Sequence, residues 1–586
     1  MFSARYLFKK AKKALVARHP NWTQTGVIVH AVGILLLFSM LWGISAMGTL
    51  RIFLPNVLQL TGWPGTERHY LVLFQNNAEL RATGGFITAF AQIDLKNGLP
   101  ASISFQDVYG EIDDHDYISP PYPMDILLEA NSSTYAGHSF RDANYNPDFP
   151  STVEEILSFF ELTNPDTKID GVVAMNFSVL EDIVGLYEPV RVDGYTLTEA
   201  NLFETLEAKV SDIDRHNLEE LSTRKDIIKT FAYDVIKKMV FIPWKYRELS
   251  EVIIENLNQK ELLLFFNNNA LSKKIDHMGW DGSFPSAEED PTLDRFAVNI
   301  SNFGGMKTDR YITREVHYTI EVTEEFDEAG LPIIYGDVEV NLRHRGDYNT
   351  PLSGEYKGYL RVFVPEGAEL VLSSTGESRE ETIEDHVAWG DTILLQPGEE
   401  ATYSYRIKLN PDYFMEEDYQ LYVVKQSGTE NDYYEVVVRA PKGENIESND
   451  FSVKENVAFY QKTLTQDVKL DLTFLSDDSS PRIFYHELTG LNVIDIGFNE
   501  SLNEASTTDP LYYEIIDLDV NVPEITDIIT IDFITEENGH VRIYTRGMDL
   551  QFEEHFQVLM RNIRDEHGNF ITPNPRTITV VQRLDE

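Results

Sequence analysis

Apolar positions along this chain follow three regimes, and each predicts a different structure. The first is continuous: from Val27 to Leu50 there is no Asp, Glu, Lys or Arg. Those 24 residues, rising about 1.5 Å each, are long enough for a hydrocarbon core of roughly 30 Å, so a transmembrane helix is predicted over 27–50. In the second regime short apolar runs alternate with helical spacing. Residues 69–74 and 86–95 read as strands with a polar loop, 75–85, between them. Lys96-Asn97-Gly98 is a tight turn into a third strand at 101–105. Ser151-Thr152-Val153-Glu154 has the spacing of a capping box and predicts a helix to about 162. A strand at 169–175, a helix at 178–186 and a strand at 190–192 follow, so an α/β domain with some parallel pairing is expected. From 198 to about 274 the apolar residues Leu202, Leu206 and Val210, then Phe231, Val235, Ile236 and Met239, keep three-to-four spacing, a helical elaboration of that domain.

The third regime begins near 309 and has period two. Strands are predicted at 311–322, 337–342, 358–364, 392–395, 401–409, 419–424 and 433–438, separated by Gly, Pro and Asn turns, which suggests a β-sandwich. The expected organisation is a basic tail (1–26), a transmembrane helix (27–50) and a stem (51–68) containing Pro55, Gly62, Pro64 and Gly65. An α/β domain (69–308), a β-sandwich (309–440), a linker (441–455) and a second all-β domain (456–586) complete it.

Charge gives the first regime a direction. Arg5, Lys9, Lys10, Lys12, Lys13 and Arg18 precede the apolar run with no acidic residue among them. Such an excess places the N-terminus in the cytoplasm and the rest outside, anchored to the cell membrane by a single pass. A cleaved secretory signal is the alternative, but the run is long for one and Ile44-Ser45-Ala46 is a poor cleavage site. The formal charge is −47, of which the first 26 residues contribute +6; the acidic remainder disfavours nucleic acid as a partner. With no cysteine in 586 residues, disulfides, thiolate metal sites and cysteine catalysis are excluded, which suits a bacterial or archaeal envelope.

Two blocks carry candidate chemistry. The loop 75–85 gathers Asn76, Asn77, Glu79, Arg81, Gly84 and Gly85. Arginine forks onto phosphate, carboxylates hold divalent cations, and Gly-Gly amides approach anions closely. Arg141, Asp142, Asn144 and Asp148 form a second set just before a helix start, where anions are favoured. Should the blocks converge, Arg81 and Arg141 would neutralise a pyrophosphate, with Asn76, Asn77, Gly84, Gly85 and Asn144 lining its site. Glu79, Asp142 and Asp148 would then offer oxygens to Mg²⁺ or Ca²⁺. In the opposing reading the loop is a turn whose glycines relieve strain, and Asp148 with Ser151 satisfies a helix entry. Asp113, Asp114 and Asp116 lack full EF-hand spacing, and His486-Glu487 lacks the second His of a zinc helix. No Walker loop, dinucleotide fingerprint or Gly-x-Ser-x-Gly elbow occurs.

Family resemblance sharpens this picture. The run from Tyr70 to Phe86, the set Arg141-Asp142-Ala143-Asn144 with Pro147-Asp148-Phe149-Pro150, and Asp170-Gly171-Val172-Val173-Ala174 with Asn201 resemble the bacterial domain-of-unknown-function 4012 family over about 70–311. Gly279-Trp280-Asp281-Gly282 and the stretch from Asn302 to Asp309 extend the likeness. The order of parts also resembles, more distantly, the LytR–CpsA–Psr enzymes, which transfer glycopolymers from polyprenyl-pyrophosphate carriers. Where those carry an Asp-containing signature this chain has Glu79-Leu80-Arg81 followed by glycines. The last section is similar to bacterial Ig-like surface-layer modules, through 494–500 with Asn503-Glu504-Ala505 and the turn Asp565…Gly568-Asn569. These likenesses imply two readings: a non-catalytic surface scaffold or adhesin with surface-protein partners, or a transferase or binder of a lipid-linked glycan or cell-wall polymer.

Overall fold

Apolar strand runs within 67–107 and 171–176 build one sheet in the computed structural model, with helices packed on both of its faces. The structure describes residues 52–581 except 54, 109–117, 129–136, 193, 212–229, 233, 240, 287–289, 328–330, 350–351, 415–417, 442–443, 455, 476–479, 490–491, 519–528, 538, 547–554 and 566–567. The expected span from Val27 to Leu50, and the acidic run Asp113, Asp114 and Asp116, therefore lie outside the described residues. Among the described residues no helix is long and apolar enough to cross a membrane.

The N-terminal part is mixed α/β. Strands β1 (Glu67–Arg81), β2 (Gly84–Lys96) and β3 (Leu99–Asp107) form an antiparallel meander. Helix α1 (Phe149–Thr163) leads to β4 (Gly171–Asn176), which pairs with β1 in parallel, and α2 (Phe177–Tyr187) leaves its end. A small hairpin, β5 (Val190–Val192) and β6 (Tyr195–Leu197), precedes α3 (Leu202–Ser211) and α4 (Tyr246–Asn258). Strand β7 (Leu262–Phe266) and α5 (Asn269–His277) complete a sheet of order β3-β2-β1-β4-β7. The two faces are read from the alternation. Leu71, Leu73, Val172, Ala174 and Leu263 meet Val153, Ile156 and Phe160 of α1 on one side. Leu262 and Leu264 meet Val179, Val184, Leu257 and Leu271 of the other helices on the opposite side.

Two sequence expectations change here. Residues 75–85 are not a loop: both strands continue to a turn at Ala82-Thr83. A register shift leaves residues 77–79 without ladder partners, because Asn76 pairs with Phe86 and Leu80 with Gly85. Polar residues in that bulge imitate a loop in sequence. The helical stretch to 274 is interrupted by β7, whose five-residue apolar run has no period to distinguish strand from helix.

The remainder is mostly β-sheet. Among the described residues, β8 (Leu293–Asn302), β9 (Ile312–Phe326), β10 (Pro332–His344), β11 (Tyr356–Pro365), β12 (Glu369–Ser373), β13 (Arg379–Ile383) and β14 (His386–Leu395) come first. Then follow β15 (Glu400–Lys408), β16 (Asp418–Val424), β17 (Tyr433–Arg439), β18 (Asn445–Glu447), β19 (Ser452–Lys454), β20 (Val457–Thr463) and β21 (Val468–Leu475). They form two sheets, β12-β15-β10-β9-β17-β20-β19 and β13-β14-β11-β8-β16-β21-β18. Position by position the two orders pair consecutive strands, so the chain shuttles between layers. A single core, with Phe296 stacked on Tyr318 at 4.1 Å, joins them.

This body is wider in sequence than the expected 309–440. Strand β8 sits mid-sheet and is buried along its whole length, so it shows no period two. The expected linker 441–455 supplies edge strands β18 and β19, and the first strands of the expected terminal domain, β20 and β21, belong to this body. Beyond it, a four-stranded and a three-stranded sheet share a separate core over Ile483–Val581 strands. There Asn503, which caps a short helix, donates its backbone N–H to Arg564 O at 3.0 Å, joining the opening and closing turns.

Because β8 is central, a fragment covering 309–476 should give no cooperative melt by circular dichroism, whereas one covering 285–476 should melt cooperatively. Equal cooperativity of the two would contradict the placement of β8.

Candidate functional site

The two sequence blocks meet where the upper ends of β1 and β2 abut β8. Arg81, the last residue of β1, is only 1% exposed. Its Nη2 lies 3.3 Å from Glu79 Oε1 and 3.4 Å from Asp142 Oδ1, and Nη1 donates to the carbonyl of Asn302 on β8. Phe86 and Phe303 flank the guanidinium, each ring centroid 5.1 Å away. Asp142 ends a 3₁₀ turn and also receives Arg141 Nε at 3.3 Å. Arg81, Glu79, Asp142 and Arg141 are thus together, with three of the four buried.

The other candidates are occupied by the fold. Asp148 caps α1, accepting from Ser151 N at 2.9 Å, while its second oxygen accepts from Phe284 N at 2.9 Å. It stands at the helix entry instead of beside Glu79. Asn144 donates to Gly85 O at 2.8 Å, and Gly85 N donates to Asn176 Oδ1 at 3.0 Å, so that amide already serves a side chain. The glycines are required by backbone proximity: a Cβ on Gly85 would lie 2.0 Å from Asn76 C, and Gly84, at φ +128°, would meet Asn176 Oδ1 at 2.4 Å. Asn76 accepts from Ala78 N at 3.1 Å, closing the bulge. Asn77 reaches across to Gly428 O (3.3 Å) and Glu430 Oε1 (3.4 Å).

Further polar residues, outside the two candidate blocks, hold the two bodies together; of these only Asn302 and Asp309 lie in the family-like stretches of the sequence. Leu80 N donates to Asp309 Oδ2 at 3.0 Å, and Asp309 also binds Arg314, Tyr356 (3.0 Å) and Asn302 (2.7 Å). Gln426 donates to Arg81 O at 2.9 Å and Ile300 O at 2.7 Å. Lys425 Nζ pairs with Glu261 at 3.1 Å, and Glu261 in turn accepts from Asn176 and Ser178. Lys260 pairs with Asp467 at 2.6 Å. One cue was present: Lys425-Gln426-Ser427 breaks abruptly from the apolar run of β16 and is buried. The cavity at this seam measures about 20 Å³ and is lined by Thr83, Lys260, Asn299 and Gln426 among others. That is room for about one water molecule.

At the flank of the seam Arg310 lies over Phe203 at 4.0 Å and approaches Glu181 (3.8 Å) and Glu204 (3.6 Å). Burial, only partly offset by Arg310, pushes the Glu181 carboxyl up to about 7. Among the described residues no three His, Asp or Glu side chains are grouped to hold a metal ion.

Residues 66–210 match the family model described as protein of unknown function (DUF4012), so the chain carries a domain of that family. No curated protein matches the chain. Among solved structures, the N-terminal part of the bacterial S-layer protein SbsC is 11% identical, with 18% of this chain and 23% of that one covered, at a TM-score of 0.15. A putative nutrient binding protein from Legionella pneumophila is 9% identical over 28% and 67%, at 0.20. The Lin1025 protein from Listeria innocua is 10% identical over 37% and 79%, also at 0.20. Likenesses this slight carry no argument about function, and the chain spans under a quarter of the S-layer structure.

Arg81→Met should lower unfolding free energy by about 3–5 kcal/mol in denaturant titration, because two buried carboxylates lose their cation. Arg141→Ala should cost less than Arg81→Met, because Arg141 keeps 15% exposure and Asp142 retains Arg81 as a partner. For Glu181 the sign follows from a folded-state value of about 7 against 4.5. Its burial favours the protonated form, so its contribution is full below about pH 4.5 and is lost as pH rises through about 7. Glu181→Gln should therefore raise Tm near about pH 8, with the gain shrinking towards about pH 5.

Proposed function

We propose that this is a single-pass, membrane-anchored cell-envelope protein whose extracellular part has a non-catalytic surface, scaffold or adhesive role. In this reading the span from Val27 to Leu50 tethers the α/β domain, the two seven-stranded sheets form a β-sandwich, and an Ig-like module lies at the far end. The observation that carries the scaffold role is the closure of the arginine cluster. Both terminal nitrogens of Arg81 are engaged by Glu79, Asp142 and a β8 carbonyl between two aromatic rings, and only its buried Nε lacks a partner, so no two-pronged grip on a phosphate remains. A glycopolymer transferase needs an open groove at those arginines, and the cavity of about 20 Å³ at the seam is lined by neither of them. The carboxylates that would hold Mg²⁺ or Ca²⁺ are divided between that cluster and the α1 cap. Surface partners are expected on the β-modules, whose long stacked strands suit spacing more than catalysis.

The full-length protein in lipid nanodiscs, given Mg²⁺ and lipid-linked oligosaccharide, should release no lipid phosphate above a protein-free control. Mg²⁺-dependent release that Arg141→Ala abolishes would overturn the scaffold reading in favour of the transferase.

A further inference from the structure

We infer that the α/β domain rests directly on the outer leaflet of the bilayer, through an aromatic and basic face at the pole where β1 and β4 begin. The inference rests on the proposed span at 27–50 and adds where, and through which residues, the domain meets lipid. The first argument is tether length. Ile52 and Phe53 are already packed into the domain: Phe53 stacks on Trp280 at 6.5 Å and meets Phe266 edge-on. Two residues past Leu50 cover at most about 7 Å, so the domain cannot stand off from the point where the span ends.

The expected stem adds no reach, because it folds back. Thr61 O accepts from Gly98 N at the β2–β3 turn, Leu60 O accepts from Tyr70 OH, and Gln59 O accepts from Arg68. Leu58 and Trp63 are left facing outward, Trp63 at 54% exposure.

A second strip lies at the same pole. Helix α2 starts at the end of β4 and returns along the sheet, so its C-terminal end lies near the start of β4. There Leu186 O accepts from Lys245, and Tyr187 O accepts from Lys238 at 3.0 Å. Beside those lysines Phe241 and Trp244 are 66% and 73% exposed, with Ile236 and Lys237 also exposed. Exposed tryptophans sit at headgroup depth, and lysines beside them attract anionic lipid. On a chain of net charge −47, exposed Lys237, with Lys238 and Lys245 held against the end of α2, offsets Glu188 and Glu248 here and leaves the aromatic residues as the main contact with lipid.

The absence of cysteine makes the test direct. Trp63→Cys, Trp244→Cys and, as a distant control, Leu372→Cys on exposed β12 each receive an environment-sensitive fluorophore in the full-length protein. The protein is reconstituted in nanodiscs of phosphatidylcholine and phosphatidylglycerol carrying headgroup-proximal spin-labelled lipid. Labels at 63 and 244 should lose most of their emission, and the label at 372 should keep it. If the chain co-floats with lipid but 63 and 244 are quenched no more than 372, docking is overturned and the span stands. If the chain does not co-float, both fall.

Discussion

A cation sealed between two folded bodies must be matched by the chain itself, because water cannot reach it, and Arg81 is such a cation. Glu79 and Asp142 match it from the α/β side, and the Asn302 carbonyl receives it from β8. The same rule recurs along the seam, where Arg314 meets Asp309 and Asp432, Lys425 meets Glu261, and Lys260 meets Asp467. Buried pairs of this kind add little net stability over an apolar seam, yet they tolerate few alternative registers, so their effect is to fix one docking geometry.

That geometry has a mechanical consequence. Strand β1 runs 15 residues from the end of the sheet where Tyr70 meets Phe266 to the seam, with the bulge at 77–79 just before its last residues. Its far end is locked by Arg81 and by the Leu80–Asp309 bond, so one strand sets the direction of the two-sheet body relative to the α/β sheet. Under the membrane-anchored reading proposed above, such a joint holds the distal modules at a fixed angle.

Much of the architecture was legible as period. The seven strands expected between 311 and 438 all occur; most have one face in the shared core and one outside it, while β11, buried on both faces, was marked by its short β-branched and aromatic run between Gly358 and Pro365. Strand β8 was illegible since burial on both faces erases alternation, and β12 and β13 were missed because exposed edge strands carry weak apolar patterns. The convergence of the Arg81 and Arg141 blocks could be posed from sequence but not its sign. A buried, self-paired cluster and an open phosphate site use the same residue types, and only the tertiary partners Asn302, Gln426 and Asp309, hundreds of positions away, separate them. Asp148 illustrates the local limit: its chemistry suits a metal, while the two amides within 3 Å make it a helix cap.

The central claim is that the arginine cluster is a fastener between two bodies and not a pocket awaiting a ligand. Hydrogen exchange across the seam, compared between the native chain and Arg81→Met, tests it most directly. Faster exchange at 300–303 and 426–428, on the side of the seam that Arg81 does not belong to, is the predicted result. Change confined to 79–86, with β8 and the 426–428 turn as protected as before, would contradict the account.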